Sequence, residues 1–167
     1  MSKMLLLLLV LAALSCAGQA GAQAPPATPA PPPMPYGTPI GLDDAQKAAA
    51  AAVEEVKKIG AAPNAIAIVD SGGFLIYFER MDNTQLGSIE IAIDKARSAA
   101  LFRRPSKVFE DALAGGRTAI LGLRDATPLE GGLPLVSGGK IVGAIGASGG
   151  TAQQDGQVAK AGADTVK

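Results

Sequence analysis

The sequence predicts a single α+β domain in which helices pack a central antiparallel sheet, preceded by an export signal and a proline-rich spacer. Three observations support this interpretation. Helical segments and pairs of short apolar strands follow one another in the order αββαα–ββα. Each pair of strands is joined by a glycine-containing turn, too short for a parallel crossover. The remaining length, once the export and spacer segments are removed, suits one domain.

Residues 1–22 have the features of a signal peptide. Lys3 supplies a positive start, residues 5–14 form an apolar stretch too short to span a bilayer, and Ala20-Gly21-Ala22 is a small-x-small cleavage site. We therefore expect export to the periplasm or the extracellular space, with Gln23 as the new N-terminus. Cys16, the only cysteine, ends a loose match to a lipoprotein processing sequence, so a lipid anchor is the alternative.

Residues 23–40 are predicted to form a spacer, because eight of the twelve prolines lie between positions 25 and 39. Proline fixes φ and removes a backbone donor, which favours extended polyproline II structure over a packed core. The folded domain should then cover residues 41–167.

The first helix of the domain is alanine-rich and runs to Ile59, with Asp43 and Gln46 as a plausible capping pair. Two strands, at residues 65–69 and 74–78, follow on either side of a turn at residues 70–73. Because this turn is so short, the two strands should pair antiparallel.

A second helix is predicted at residues 88–102, where Ile89, Ile93, Ala96 and Ala100 recur at helical spacing and should face the sheet. Pro105 ends it. Ser106 can cap a short helix that reaches Leu113 and is ended by Gly115-Gly116, and residues 117–130 show no clear pattern.

Two further strands are predicted at residues 133–136 and 141–147, joined at Gly138-Gly139. Thr151 and Gln154 form another capping pair, which opens a final helix. The helices and strands together favour an antiparallel sheet over a doubly wound parallel one.

The composition excludes several classes of function. Histidine is absent from the chain, which excludes Ser-His-Asp and Cys-His catalysis and the usual imidazole metal sites. The sequence also lacks a basic block with interleaved aromatics, so we expect no nucleic-acid partner. Asp70, Glu79 and Asp82 cluster around one hairpin, either as a site for a hard cation or acid/base chemistry, or as a turn residue with solvated neighbours.

The glycine-rich stretch from Gly143 to Gly150 has a spacing that matches neither the dinucleotide fingerprint nor a Walker loop. Its glycines either mark a strand that passes close to a helix or, at residues 148–151, present backbone N–H groups to an anion.

Four cations lie on or just after the second helix: Lys95, Arg97, Arg103 and Arg104. They form either a cationic rim for carboxylates or a solvated helix face with favourable charge near the helix C-terminus.

Several motifs occur in order along the domain. They are IVDSGG at residues 68–73, RMD at 80–82, GSIEIAIDKARSA at 87–99, GGLP at 131–134, and GAIGASGG at 143–150 followed by Gln154-Asp155. Together they resemble the GlcG/HbpS family of small haem-associated proteins across nearly all of residues 41 to 163. The C-terminal domain of PduO-type cobalamin adenosyltransferases is similar as well.

The resemblance implies a small α+β domain, usually assembled into oligomers, so we expect a homo-oligomer. It also implies haem as a possible cofactor, with Lys95, Arg103 and Arg104 as candidates for its propionates. Ser106 is the candidate near the iron, because it matches a loop position where an exported member is thought to use Thr.

Alternatives to Ser106 stay open. Tyr77 and Met81 are possible ligands by their chemistry, although one is explained equally well as a strand residue and the other as part of the core. Ser106 itself is explained equally well as a helix cap.

Three functions remain compatible with the sequence. The first is an exported haem-binding or other tetrapyrrole-binding protein with an accessory or redox-sensing role. The second is an enzyme that acts on a small carboxylate, in which Lys95 and Asp155 would be needed for turnover. The third is an envelope interaction module without a ligand. The sequence favours a binding protein over an enzyme.

Overall fold

The computed structural model describes residues 32–167, so the predicted signal peptide, its cleavage site, Cys16 and the first four prolines of the spacer lie outside the described residues. Its helices and strands are, in chain order, α1 (Leu42–Ile59), β1 (Ala65–Asp70), β2 (Leu75–Arg80), α2 (Ser88–Phe102), α3 (Lys107–Ala114), a 3-10 helix (Thr118–Gly122), β3 (Gly132–Ser137), β4 (Lys140–Ser148) and α4 (Ala152–Ala163).

The four strands form one sheet in the order β2-β1-β4-β3, and every neighbouring pair is antiparallel. The central pair runs from Ala65 opposite Ser148 to Asp70 opposite Gly143. Pro134 lies in the edge strand β3, where a residue without a backbone N–H is tolerated. The predicted α+β fold with an antiparallel sheet is confirmed.

The sheet is packed on both faces because side chains alternate along each strand. Ile66 and Ile68 of β1 belong to a core with α1 and α4. Ala65, Ala67 and Val69 of the same strand belong to a second core with α2. The protein therefore has three layers, with helices on either side of the sheet.

Helix α2 lies unusually close to strands β3 and β4. A Cβ atom added to Gly146 would lie 2.0 Å from the backbone oxygen of Ala92, and one added to Gly132 would lie 2.2 Å from that of Lys95. The backbone of the helix thus rests directly on these two glycines. The interpretation of the glycine-rich strand as a place where strand and helix approach closely is confirmed.

This close approach restricts the centre of the sheet-facing side of α2 to small residues. The fully buried side is formed by small residues such as Ala92, Ala96 and Ala99, whereas Ile89 and Ile93 are only half-buried. The expectation that this side faces the sheet is confirmed for Ala96 and Ala100, and Ile93 packs at the border of the same core. Ile89 does not belong to that core. The large side chains stay at its border or outside it, because none fits between two backbones in contact.

The helix ends differ in how well the sequence predicts them. At α4, Thr151 and Gln154 form the predicted capping box, in which each side chain accepts from the other residue's backbone N–H. The predicted capping pair of Asp43 and Gln46 is wrong. Helix α1 begins at Leu42 with Gly41 as its N-cap and has no capping side chain.

The end of the proline-rich segment packs on the sheet. The N–H of Ile141 donates to the oxygen of Pro35 at 2.9 Å, and the N–H of Gly37 donates to the oxygen of Ile141 at 2.8 Å. Ile40 then enters the core shared with α1 and α4. Within residues 32–167, no helix combines the length and apolar character needed to cross a bilayer.

Replacing Gly146 with Ala should destabilise the fold, because the new Cβ must push against the backbone of α2. We expect a loss of about 1–3 kcal/mol in the free energy of unfolding, the usual cost of overpacking. Urea unfolding followed by circular dichroism measures it. Gly87→Ala is the matched control: Gly87 has helical dihedrals and open space around it, so this change should leave stability unchanged or raise it by about 0.4–1 kcal/mol. Equal effects of the two substitutions would contradict the close contact.

Candidate functional site

A buried ion pair joins the two helical layers at the end of β4. Lys95 belongs to α2 and Asp155 to α4, on opposite faces of the sheet, yet Nζ of Lys95 lies 2.8 Å from Oδ2 of Asp155. The two side chains are only 4% and 5% exposed. Nζ also donates to the oxygen of Ala147 at 3.0 Å, and Oδ1 of Asp155 accepts the N–H of Gly150 at 2.9 Å.

This pair removes Lys95 from the predicted cationic rim. Asp155 neutralises the ammonium group in the interior, so Lys95 presents no charge to a ligand at the surface. A charge taken out of water needs such a partner, and an unpaired one would cost several kcal/mol. Lys95 acts instead as a link between α2, β4 and α4.

Two backbone amides of the strand-helix junction at residues 148–151, where the anion was suggested, are already engaged. The N–H of Gly150 is bound by Asp155, and the N–H of Thr151 donates to Oε1 of Gln154 at 3.1 Å. Side chains of α4 therefore already occupy two of the donors that an anion would use. The hypothesis of a backbone anion site at this junction loses these two donors.

Ser106 is fully buried and holds together two segments that are distant in sequence. Its Oγ donates to the oxygen of Leu129 at 2.6 Å and accepts the N–H of Gly132 at 2.9 Å. Its own N–H donates to the oxygen of Gly132 at 3.0 Å. Although Ser106 precedes α3, its side chain makes no capping bond, so the interpretation as a helix cap is wrong. The hydroxyl group fixes the start of β3 against the entrance of α3.

The surface with the most ligand-like chemistry lies where α2 ends. The guanidinium of Arg103 sits 5.3 Å from the ring centre of Tyr36, and that of Arg104 sits 5.9 Å from the ring centre of Phe109. Phe109 in turn packs edge-to-face on Phe102, with ring centres 5.0 Å apart. We call these two arginines and three aromatic residues the arginine corner.

Backbone geometry separates the two arginines of the corner. Arg103 is the C-cap of α2 and has a left-handed conformation (φ 54°), which turns the chain sharply between the two side chains. Within residues 32–167, neither arginine forms an ion pair with a carboxylate. Two uncompensated cations beside aromatic rings suit a flat molecule that carries carboxylates.

The carboxylates of the first hairpin do not form a cation site. Oδ1 of Asp70 accepts the N–H groups of Gly72 at 2.8 Å and of Phe74 at 2.9 Å, as a turn residue does. No group of three or more Asp, Glu, His or Cys residues gathers for a metal ion in the part of the chain that the structure describes.

The two alternative iron ligands are both engaged. The hydroxyl of Tyr77 donates to Oε2 of Glu79 at 3.2 Å, and burial, together with the negative charge of Glu79, raises the pKa of this phenol. Sδ of Met81 accepts the N–H of Asn64 at 3.5 Å, and Met81 packs against the core of α1 and α4.

Two cavities in the described part of the chain lie away from these residues. One, of about 360 Å³, is lined by the start of α1 and the end of the chain, including Asp44, Ser137 and Lys167. The other, of about 300 Å³, is a charged groove between α1 and α4. Neither shares a residue with the arginine corner.

Comparison with known proteins gives a consistent picture. A family model described as "Haem degrading protein HbpS-like" matches residues 40–164. Protein GlcG from Escherichia coli K12 is 45% identical over 83 residues, which are 50% of this chain and 62% of GlcG. The match therefore spans less than two thirds of that curated relative.

Solved structures share the fold over most of the chain. A double mutant of HbpS from Streptomyces reticuli has a TM-score of 0.71 and 30% identity, covering 86% of this chain and 99% of that one. A PduOC:heme complex has a TM-score of 0.71 and 25% identity, covering 78% of this chain and 96% of that one.

Breaking the buried pair should be costly, whereas removing both charges should not. We expect Lys95→Met alone to lower the free energy of unfolding by about 3–5 kcal/mol, because it leaves the Asp155 carboxylate buried without its partner. The double variant Lys95→Met/Asp155→Leu should return to within about 1–2 kcal/mol of the wild type.

Urea unfolding measures all variants of this pair, and Lys160→Met is the matched control. Lys160 pairs with Asp164 on the surface of α4, so its loss should cost less than about 1 kcal/mol. A single Lys95→Met variant as stable as the control would show that the pair is not a buried link.

Proposed function

Because the chain belongs to the HbpS-like family, we propose that it is an exported protein that binds haem at the arginine corner. Two comparisons support the ligand: the family model is described as haem-degrading, and the related PduOC structure contains haem. The observation that carries the choice of surface is that two adjacent arginines at the end of α2, neither paired with a carboxylate, each lie beside an aromatic ring.

The residues of the corner fit the periphery of haem. Haem has a flat apolar ring and two propionates, and Arg103 and Arg104 offer donors for carboxylates on a fixed backbone turn. Tyr36 is exposed and Phe102 is half-buried, and both add aromatic surface against which a flat ring can pack. Phe109 is buried and supports the ring of Phe102 from below. Charge-assisted contacts and ring packing would then supply most of the affinity.

Ser106 is a poor candidate for the iron in this arrangement. Its hydroxyl already donates one hydrogen bond and accepts another, and the residue is fully buried. Binding to iron would leave the oxygen of Leu129 or the N–H of Gly132 without a partner, at a cost of about 1–3 kcal/mol. We assign Ser106 to the support of the α2–α3 connection.

The enzyme that the sequence left open has no support from this geometry. It required Lys95 and Asp155 for turnover, but each is the other's partner in the interior. A substrate carboxylate would have to displace Asp155 from a nearly solvent-free position. We therefore favour a binding or haem-handling role at the cell envelope.

Export and assembly complete the proposal. The features of residues 1–22 support cleavage before Gln23, and Cys16 would be removed with them. Large apolar side chains remain exposed on one copy of the domain, including Phe74 at 73%, Leu86 at 77% and Leu121 at 67%. We propose that a homo-oligomer covers part of this surface.

Haem titration of the purified protein should produce a shifted Soret band that saturates. The double variant Arg103→Gln/Arg104→Gln should bind haem at least about tenfold more weakly, since each lost charge-assisted contact is worth about 1.5–3 kcal/mol. Arg117→Gln/Arg124→Gln, which removes two arginines outside the corner, should leave the affinity unchanged.

Ser106→Ala should unfold more easily and keep the wild-type haem spectrum.

Three results would count against the haem site. A wild-type protein that leaves the Soret band unshifted would contradict haem binding. Equal affinities of the two double variants would contradict the arginine corner. An altered spectrum for Ser106→Ala at unchanged stability would return Ser106 to the iron.

Native mass spectrometry of the protein recovered from the cell envelope tests export and assembly together. We expect a chain that starts at Gln23 and a complex with a mass of at least two copies. A lipid adduct on Cys16 would show the other processing route, and a monomer mass at micromolar concentration would contradict assembly.

A further inference from the structure

The chain offers few side chains that can bind haem iron. Proteins use His, Cys, Met or Tyr for this purpose. Histidine is absent, and the single cysteine, Cys16, lies in the predicted signal peptide. In the described residues, the candidates are therefore Tyr36, Tyr77, Met34 and Met81.

Three of these four side chains are already held by other groups. The hydroxyl of Tyr36 donates to the backbone oxygens of Ala100 at 3.0 Å and Leu101 at 3.1 Å. Tyr77 is bound to Glu79, and the sulfur of Met81 accepts a backbone N–H. Each would have to give up an existing contact to reach iron.

Met34 differs from them in both exposure and position. The residue is 39% exposed, and its backbone oxygen accepts a hydrogen bond from Nη1 of Arg103 at 3.4 Å. Tyr36, two residues later, holds this segment against the end of α2 through its two hydrogen bonds. Met34 thus lies at the edge of the arginine corner, next to an arginine that would bind a propionate.

We infer that Met34 would supply a thioether ligand to the iron of haem held at the arginine corner. The inference rests on the proposed haem function and extends it to the metal. A flexible, polarizable thioether on an exposed segment can reach the face of a ring bound beside it. Thioether ligation raises the reduction potential of haem iron, so Met34 would also favour the ferrous state.

The test compares the haem-loaded wild type with two single variants made by the same substitution. Met34→Leu removes the sulfur and nearly conserves side-chain volume, and Met81→Leu is the matched control at the other described methionine. Near-infrared magnetic circular dichroism detects a sulfur–iron charge-transfer band, and a redox titration gives the midpoint potential. We expect the band in the wild type and in Met81→Leu. We expect its loss, with a shift to lower potential, in Met34→Leu.

The outcomes separate this inference from the proposed function. If the wild type binds haem but lacks the sulfur–iron band, or if Met34→Leu keeps it, the ligand assignment is overturned and haem binding stands. If Met81→Leu alone loses the band, the assignment passes to Met81 and the inference fails. If the wild type takes up no haem, both fail together.

Discussion

The contact between helix α2 and strands β3 and β4 is the constraint on which the rest of the structure depends. At Gly132 and Gly146 the sheet has no side chains, and backbone oxygens of Ala92 and Lys95 occupy the space where a Cβ would stand. The helix is thereby fixed in height and rotation above the sheet. The contact therefore also fixes the backbone positions of the side chains at the edges and at the C-terminal end of α2.

Two polar links extend that constraint to the surface. The pair of Lys95 and Asp155 ties α2 to α4 around the end of β4, where Gly131 leaves room for the ammonium group. Ser106 ties the connection between α2 and α3 to the start of β3. Arg103 and Arg104 therefore project from a backbone that is fixed before them by Lys95 and after them by Ser106. This fixed backbone lowers the conformational entropy lost when the two arginines bind a ligand.

Local sequence patterns predict most of the fold, because strand and helix periodicity, tight turns and the Thr151 capping box depend on neighbouring residues. They do not predict that Ile89 and Ile93 leave the centre of the sheet-facing side of α2 to alanines, because residue size outweighs hydrophobicity where two backbones touch. From the sequence, Lys95 is indistinguishable from a cation on a solvated helix face, because its partner Asp155 lies 60 positions away. Likewise, Ser106 precedes a helix as a cap would, while its true partners lie in the stretch around residue 130 that shows no pattern.

In the candidate site, too, the sequence predicts the features that depend on neighbouring residues and misses those that depend on the tertiary fold. The sequence identifies Arg103 and Arg104, since their charge and their place after a helix are local properties. It misses Tyr36 and Met34, because only the fold brings the end of a proline-rich segment to the end of α2. The sequence signal that could indicate this contact is Tyr36 itself, an aromatic residue in a proline-rich run, because a tyrosine ring is stabilised by packing against a folded surface.

The claim that haem binds at the end of α2 is tested most directly by hydrogen exchange of the full protein, compared with and without haem. A ligand at the end of α2 should slow exchange of amides in residues 34–37 and 101–110, and leave the groove between α1 and α4 unchanged. Protection confined to residues 55–59 and 157–164, which border that groove, would contradict the account.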